Sequence, residues 1–172
     1  MTLHATALIA EDEPLLAQAL RQELARQWPA LEVVALAGDG RTALAQALAQ
    51  APDVCFLDIR MPELGGLDLA RALAEDWPDP GQPGVREFPL IVFVTAYDQY
   101  ALRAFEAAAV DYLLKPVHPD RLARTCQRLQ ERLAARRQAA GVGDRLAQAV
   151  DLLRTLETWL PAGATAGGDR LE

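Results

Sequence analysis

Serine and asparagine are absent from this chain. Without serine there is no serine nucleophile, and without asparagine there is no acceptor for N-glycosylation. Cysteine is also scarce: Cys55 lies in an apolar run and Cys126 in a helical pattern, and neither has a partner at metal-ligand spacing. We interpret both as buried structural thiols. Two histidines, His4 and His118, are too few for a histidine-based metal site.

Long apolar runs and a surplus of positive charge are missing as well. No run approaches the ~20 residues that a membrane-spanning helix needs. The first residues lack the basic start and apolar stretch of a signal peptide, so we expect a cytoplasmic protein with no membrane partner. The formal net charge of −7 argues against a globally basic nucleic-acid binder.

Lysine occurs only once, at Lys115, among 17 basic residues. Arginine is a planar fork, whereas lysine carries a compact ammonium on a flexible stem. A position that keeps lysine in so arginine-rich a chain is therefore a candidate for a site that needs the ammonium. Chance survival of one surface lysine is the alternative reading.

Five short apolar runs alternate with segments of helical spacing. The runs are residues 7–10, 33–36, 54–57, 90–94 and 112–114. They are continuous rather than alternating, which is typical of parallel strands covered on both faces. The pattern predicts an α/β fold, a doubly wound five-stranded parallel sheet.

The last part of the chain reads as helical. Residues 119–140 carry six arginines against Asp120 and Glu131, so this stretch is basic. The glycines of 141–143 predict a break, followed by a further helix with Leu146, Val150, Leu153 and Leu156 on one face. We therefore expect a main domain over 1–138, a helical extension over 139–162 and a flexible tail over 163–172.

Polar residues follow four of the predicted strands where each ends. Glu11 and Asp12 follow the first, Asp58 ends the third, Thr95 ends the fourth and Lys115 follows the fifth. The carboxyl ends of parallel strands share one edge, where such sheets bind ligands. Singly, the acidic residues could just favour a helix N-terminus and Asp58 could be a turn residue. Their placement at four strand ends favours one common site.

Phosphoryl chemistry fits this set of groups. Clustered carboxylates repel each other unless a cation lies among them, and hard oxygen ligands suit Mg²⁺. A carboxylate such as Asp58 can also attack phosphorus to form an aspartyl phosphate. Glu11, Asp12, Lys115 and Thr95 would supply the charge neutralisation and positioning that phosphoryl transfer requires.

Four motifs make the sequence resemble the receiver domain of two-component response regulators. They are ALIAEDEP (7–14), FLDIRMPELGG (56–66), FVTA (93–96) and DYLLKP (111–116). The resemblance covers roughly residues 5–138 and implies the flavodoxin-like strand order 2-1-3-4-5. The run VTAYDQYALRAF (94–105) is similar to the LytTR subclass, whose receivers usually precede a DNA-binding domain.

The resemblance also implies roles for single residues. Asp58 would accept a phosphoryl group from a partner histidine kinase. Asp12, helped by Glu11, would bind Mg²⁺ together with Asp58 and the backbone carbonyl of Arg60. Thr95, Ala96 and Lys115 would bind the phosphoryl group. Thr95 and Tyr112 would change conformation as switch residues, and Arg60 and Tyr97 would overhang the site.

The output implied by the resemblance is transcriptional. Phosphorylation would change conformation and favour a homodimer, with DNA bound only through a LytTR domain that this chain does not contain. No small-molecule substrate beyond phosphodonors is expected, and the chain would be a signalling phosphoacceptor rather than an enzyme.

Three alternatives stay open. The chain could be a stand-alone receiver, or a Mg²⁺-dependent phosphohydrolase working through an Asp58 intermediate. Such hydrolases usually place a second acid two residues after the nucleophile, where this chain has Arg60. A purely structural dimerisation module built on the C-terminal helices is the third alternative, and its association would ignore phosphorylation.

Overall fold

A five-stranded parallel sheet in the order β2-β1-β3-β4-β5 forms the centre of the protein. The computed structural model describes residues 3–96 and 109–159. The strands are β1 (Ala5–Ala10), β2 (Leu31–Ala37), β3 (Val54–Asp58), β4 (Leu90–Thr95) and β5 (Asp111–Leu114). The predicted α/β class and strand order are confirmed, and each apolar run was recognised to within a few residues of its strand.

The described helices are α1 (Pro14–Gln27), α2 (Gly40–Gln50), α3 (Gly66–Asp76) and α4 (Pro119–Trp159). Pro14 occupies the first turn of α1, where its missing N–H costs no hydrogen bond. The side chain of Asp39 begins α2 by accepting a hydrogen bond of 2.7 Å from the backbone N–H of Thr42. The alternation of apolar runs with helical spacing also predicts a helix after the fourth strand, but residues 97–108 and the expected tail lie outside the described residues.

Alternate residues of each strand face two separate cores, one on each side of the sheet. One core joins Ile9 and Phe56 to the buried faces of α1 and α4. The other joins Leu8 and Leu57 to α2 and α3. Cys126 belongs to the first core and Cys55 to the second, and both thiols are free and buried as interpreted from the sequence.

The predicted helix break at 141–143 is wrong. Helix α4 continues from Pro119 to Trp159 through both glycines. A glycine inside a helix costs only about 1 kcal/mol relative to alanine, and it supplies the backbone N–H that proline lacks. The neighbouring alanines, leucines, glutamines and arginines are good helix formers, so the local cost does not end the helix.

The chain divides into two compact units, Met1–Leu133 and Ala134–Glu172. The first contains the sheet and both cores. Within the described residues, the second consists of the C-terminal part of α4. The expected boundary at residue 138 falls inside that helix, and the domain limits stay a prediction.

Candidate functional site

Four strand ends bring ionisable and hydroxyl groups to one edge of the sheet. Asp58 and Thr95 are the last residues of β3 and β4, while Glu11 and Lys115 directly follow β1 and β5. The register aligns these ends, since Thr95 pairs with Leu114 and the backbone N–H of Lys115 donates to the Thr95 carbonyl at 2.8 Å. Parallel pairing of the strands therefore brings four residues that are far apart in the sequence into one cluster.

Lys115 lies between two carboxylates. Its Nζ is 2.6 Å from Glu11 Oε1 and 2.9 Å from Asp58 Oδ2. The Lys115 side chain is 18% exposed, against 6% for Glu11 and 7% for Asp58. Water screens so buried a cluster only weakly, so the ammonium of Lys115 offsets the negative charge of both carboxylates.

Burial and mutual repulsion shift the proton affinities in this cluster. Burial, with Asp58 as a smaller cause, raises the pKa of Glu11 from 4.5 to about 7, although Lys115 opposes the shift. Burial by itself would lower the pKa of Lys115, but its hydrogen bonds with Glu11 and Asp58 outweigh that effect and raise it. Lys115 is thus held charged, while Glu11 changes charge near neutral pH.

Asp12 completes an acidic triad at the rim of the site. One carboxylate oxygen from each of Glu11, Asp12 and Asp58 lies within 4.8 Å of the others, and Asp12 is exposed. Oxygen ligands that are partly buried and partly open to water suit a Mg²⁺ ion that keeps several waters. The donor set therefore fits the magnesium ion expected from the sequence.

A cleft of about 370 Å³ opens beside this triad. Its lining residues are Asp12, Glu13, Asp58, Arg60, Thr95, Ala96 and Lys115. Most residues expected to bind metal or phosphoryl oxygens therefore share one concave surface. Tyr97, expected to overhang it, lies outside the described residues.

The loop between β3 and α3 is folded closely around Asp58. The backbone N–H of Arg60 donates to Asp58 Oδ1 at 3.3 Å, and the N–H of Gly66 donates to the Ile59 carbonyl at 2.9 Å. A Cβ at position 66 would collide with the backbone carbonyl of Asp58. Glycine is therefore required where α3 begins, because the loop there packs directly against the backbone of Asp58.

Tyr112, the expected switch residue, belongs to β5 and is half-buried against the core formed by α2 and α3. Arg121 of α4 donates to the Tyr112 carbonyl at 3.0 Å, and its guanidinium carbon lies 6.0 Å from the centre of the Tyr112 ring. This contact links the strand that precedes Lys115 to the last helix.

The sequence reasoning missed the residues that hold Arg121 in place. Arg121 binds the buried carboxylate of Asp111 through two hydrogen bonds of 2.6 and 2.9 Å, and Thr125 donates to Asp111 at 2.8 Å. Burial favours a raised pKa for Asp111, but hydrogen bonds from Arg121 and Thr125 outweigh it and lower the pKa. The available signal was an acid beginning β5, followed by an arginine and a threonine four residues apart on one helix face.

Comparison with known proteins agrees with this architecture. Residues 7–127 match the family model described as the response regulator receiver domain. An uncharacterized response regulatory protein of Vibrio cholerae is 47% identical over 164 residues, covering 91% of this chain and 59% of the relative. The transcriptional regulatory protein BtsR of Escherichia coli is 40% identical over 124 residues, covering 72% of this chain and 47% of BtsR.

Solved structures show the same fold. The receiver domain of AraT, a response regulator from Geobacillus stearothermophilus, matches with a TM-score of 0.65 and 30% identity, covering 78% of this chain and 99% of that domain. The response regulatory domain of mrkE from Klebsiella pneumoniae matches with a TM-score of 0.61 and 32% identity, covering 77% and 98%.

The match covers only part of the length of each relative. The chain spans about half the length of the curated relatives that it matches. Across residues 3–96 and 109–159, no helix combines the length and apolar character needed to cross a membrane.

A family match over most of the chain, with the expected strand order and acidic cluster, supports one assignment. The chain belongs to the receiver domain family of two-component response regulators, which are signalling phosphoacceptors.

Proposed function

We propose that Asp58 accepts a phosphoryl group from a partner histidine kinase and that the chain passes this signal on as a conformational change. The observation that carries the proposal is the position of the Lys115 ammonium, in contact with both Glu11 and Asp58 beside an open cleft. The receiver family itself implies a kinase partner.

The transfer step needs a nucleophile, a leaving group and charge neutralisation. An oxygen of Asp58 would attack the phosphorus of a phosphohistidine, forming a P–O bond while the P–N bond breaks and the imidazole leaves. Lys115 would remain beside Asp58 to pair with the new phosphoryl oxygens, and the hydroxyl of Thr95 would donate to them. Ala96, next in the cleft lining, would offer its backbone N–H.

Asp12, Asp58 and the Arg60 carbonyl are the residues that would hold Mg²⁺, with Glu11 assisting. When bound, the ion supplies neutralisation of carboxylate and phosphoryl charge. Oxygens of Glu11, Asp12 and Asp58 lie within 4.8 Å of one another, and Asp12 and Asp58 line the same cleft as Lys115.

The signal would leave the site through β5. A phosphoryl group on Asp58 adds negative charge that attracts Lys115 and Thr95, and both belong to the ends of neighbouring strands. Tyr112 lies three residues before Lys115 and contacts Arg121 of α4. A tenfold shift between two arrangements of this surface takes only about 1.4 kcal/mol of differential contact.

We further propose that the output is transcriptional and involves a homodimer that activation favours. Support comes from relatives named as the transcriptional regulatory protein BtsR and from the LytTR-like run at 94–105. DNA would be bound by a LytTR domain beyond the region present here. Phosphorylation-dependent DNA binding by the longer gene product, lost in Asp58→Asn, is the matching test.

Labelling by acetyl phosphate tests the phosphoacceptor directly. The wild type with Mg²⁺ should gain one phosphoryl group, while Asp58→Asn and the wild type in EDTA should gain almost none. Asp68→Asn is a suitable control because Asp68 is an exposed acid of α3 that does not line the cleft. Labelling of Asp58→Asn at the wild-type level would place the acceptor elsewhere.

A further inference from the structure

The C-terminal unit carries an apolar stripe that the receiver chemistry does not use. Val142, Leu146, Ala149, Leu153 and Leu156 follow one another at intervals of four, three, four and three residues along α4. This is the heptad spacing that keeps one helix face directed at a partner helix. We call residues 142–156 the heptad seam.

The heptad seam is exposed, unlike the earlier part of the same helix. Leu122, Cys126, Leu129 and Leu133 are at most 4% exposed, because they pack on the sheet. The large apolar residues of the seam and its flanks are between 45% and 63% exposed: Val142, Leu146, Val150, Leu152, Leu153 and Leu156.

The exposed apolar area of the seam and its flanks is large enough for a protein interface. Six large side chains at roughly 100 Å² each amount to about 600 Å² of apolar surface on a single helix. A contiguous apolar patch above a few hundred Å² usually marks an interaction site. Two such patches together would bury about 1,000–1,200 Å², which reaches the lower range of specific protein interfaces.

The charges along the seam favour a second copy of this chain as the partner. Residues 142–159 contain two arginines and three acidic residues, so two copies of this segment repel each other little. Residues 119–140 contain six arginines and only two acidic residues, and two copies of that basic stretch would repel. A leucine-rich heptad stripe is also self-complementary, because each side chain can fill a hole formed by its own counterpart.

We propose that the heptad seam, residues 142–156, pairs with the same segment of a second copy to form a two-stranded coiled coil. This contact is an association additional to the activation-favoured homodimer proposed above, and it involves no residue of the phosphoryl site. It also requires neither a phosphodonor nor Mg²⁺, so its failure and a failure of Asp58 labelling are distinguishable.

Sedimentation velocity over a concentration series tests the seam on the full chain, without phosphodonor and in EDTA. Leu146→Lys with Leu153→Lys places two charges in the seam. The matched control, Gln148→Lys with Thr155→Lys, adds the same charge to exposed positions on the opposite face of the helix. Far-ultraviolet circular dichroism and acetyl phosphate labelling confirm that all variants stay folded.

We expect the wild type and the control to dimerise and the seam variant to dissociate at least tenfold more readily. A seam variant that dimerises as tightly as the control would overturn the proposal. A wild type that stays monomeric at every concentration would also overturn it.

Disulfide trapping gives a second, milder test. The native thiols should not form disulfides, because burial raises the pKa of Cys55 to about 12 and that of Cys126 to about 11. Self-linking of Leu153→Cys, or cross-linking in a mixture of Leu146→Cys and Leu156→Cys, supports the seam in a parallel or antiparallel dimer. Linking no faster than that of Gln148→Cys contradicts it.

Discussion

Replacing Lys115 by methionine should destabilise the protein in a pH-dependent way. Methionine keeps a flexible apolar stem of similar length but removes the ammonium that contacts Glu11 at 2.6 Å and Asp58 at 2.9 Å. Both carboxylates would then lie next to each other in a buried site without the ammonium that contacts them.

The expected cost at pH 8 is about 2–3 kcal/mol. Breaking a fully buried ion pair by removing one partner typically costs about 3–5 kcal/mol. The Lys115 side chain is 18% exposed, so water near it offsets part of that loss. Proton uptake by a carboxylate relieves another part.

The sign of the pH dependence follows from Glu11. With Lys115 present, the folded protein raises the pKa of Glu11 from 4.5 to about 7, so the folded state binds more protons than the unfolded state between these values. Stability contributed by this group therefore falls as pH rises through that range. Removing the ammonium raises the pKa of Glu11 further and extends the penalty to higher pH. At pH 6 Glu11 is already largely protonated, and the cost of Lys115→Met should fall to about 1 kcal/mol.

Urea unfolding in EDTA at pH 6 and pH 8 measures both values. Arg26→Met is the matched control, because Arg26 pairs with Glu23 at 3.2 Å but is 75% exposed. It should cost less than about 0.5 kcal/mol at both pH values. An equal cost of Lys115→Met at the two pH values, or one no larger than that of Arg26→Met, refutes the reasoning.

Three further outcomes are expected. Mg²⁺ should raise the melting temperature more at pH 8 than at pH 6, since Glu11, with a pKa of about 7, is fully charged only at the higher pH. In urea unfolding at pH 7, Arg121→Met should cost about 2–3 kcal/mol by leaving the Asp111 carboxylate without its two-bond partner. Because the pKa of Asp111 is held below 3.8, the stability from this pair should persist down to that pH and fade as pH falls further. Gly66→Ala should cost about 1–3 kcal/mol in the same assay and slow labelling, because its methyl group collides with the Asp58 carbonyl.

These outcomes have direct controls. An Mg²⁺ effect of equal size at both pH values would contradict a role for Glu11 at the metal site. A cost below about 0.5 kcal/mol for Arg121→Met would show that Arg128, 3.4 Å from Asp111, substitutes for it. Gly141→Ala is the control for the glycine variant: nothing lies within 4 Å of its added Cβ, and the residue is helical, so the change should be neutral or stabilising.

The sheet could be predicted from the sequence because parallel strands leave a strong local signal. Each is a continuous apolar run, and the carboxyl ends of such strands share one edge by geometry alone. That is why Glu11, Asp58, Thr95 and Lys115 could be placed together without coordinates. Their roles in phosphoryl transfer and metal binding stay predictions, tested by the labelling experiments above.

The contacts that sequence reasoning missed depend on packing between elements. The pairing of Asp111 with Arg121 joins β5 to α4, and no periodicity marks a strand residue and a helix residue as partners. The second contact of Lys115, to Glu11, depends on the side chain's path across the strand ends. The wrong break at Gly141 and Gly143 came from treating a small propensity cost as decisive, although neighbouring residues outweigh it.

Peptide mapping of the phosphorylated chain tests the central claim most directly. After acetyl phosphate treatment and borohydride reduction of the acyl phosphate, trypsin separates residues 1–21, which hold Glu11 and Asp12, from residues 42–60, which hold Asp58. The account predicts that the reduced residue lies at position 58 alone and that Lys115→Met lowers its yield. Modification of Glu11 or Asp12, or of any position outside 42–60, would contradict it.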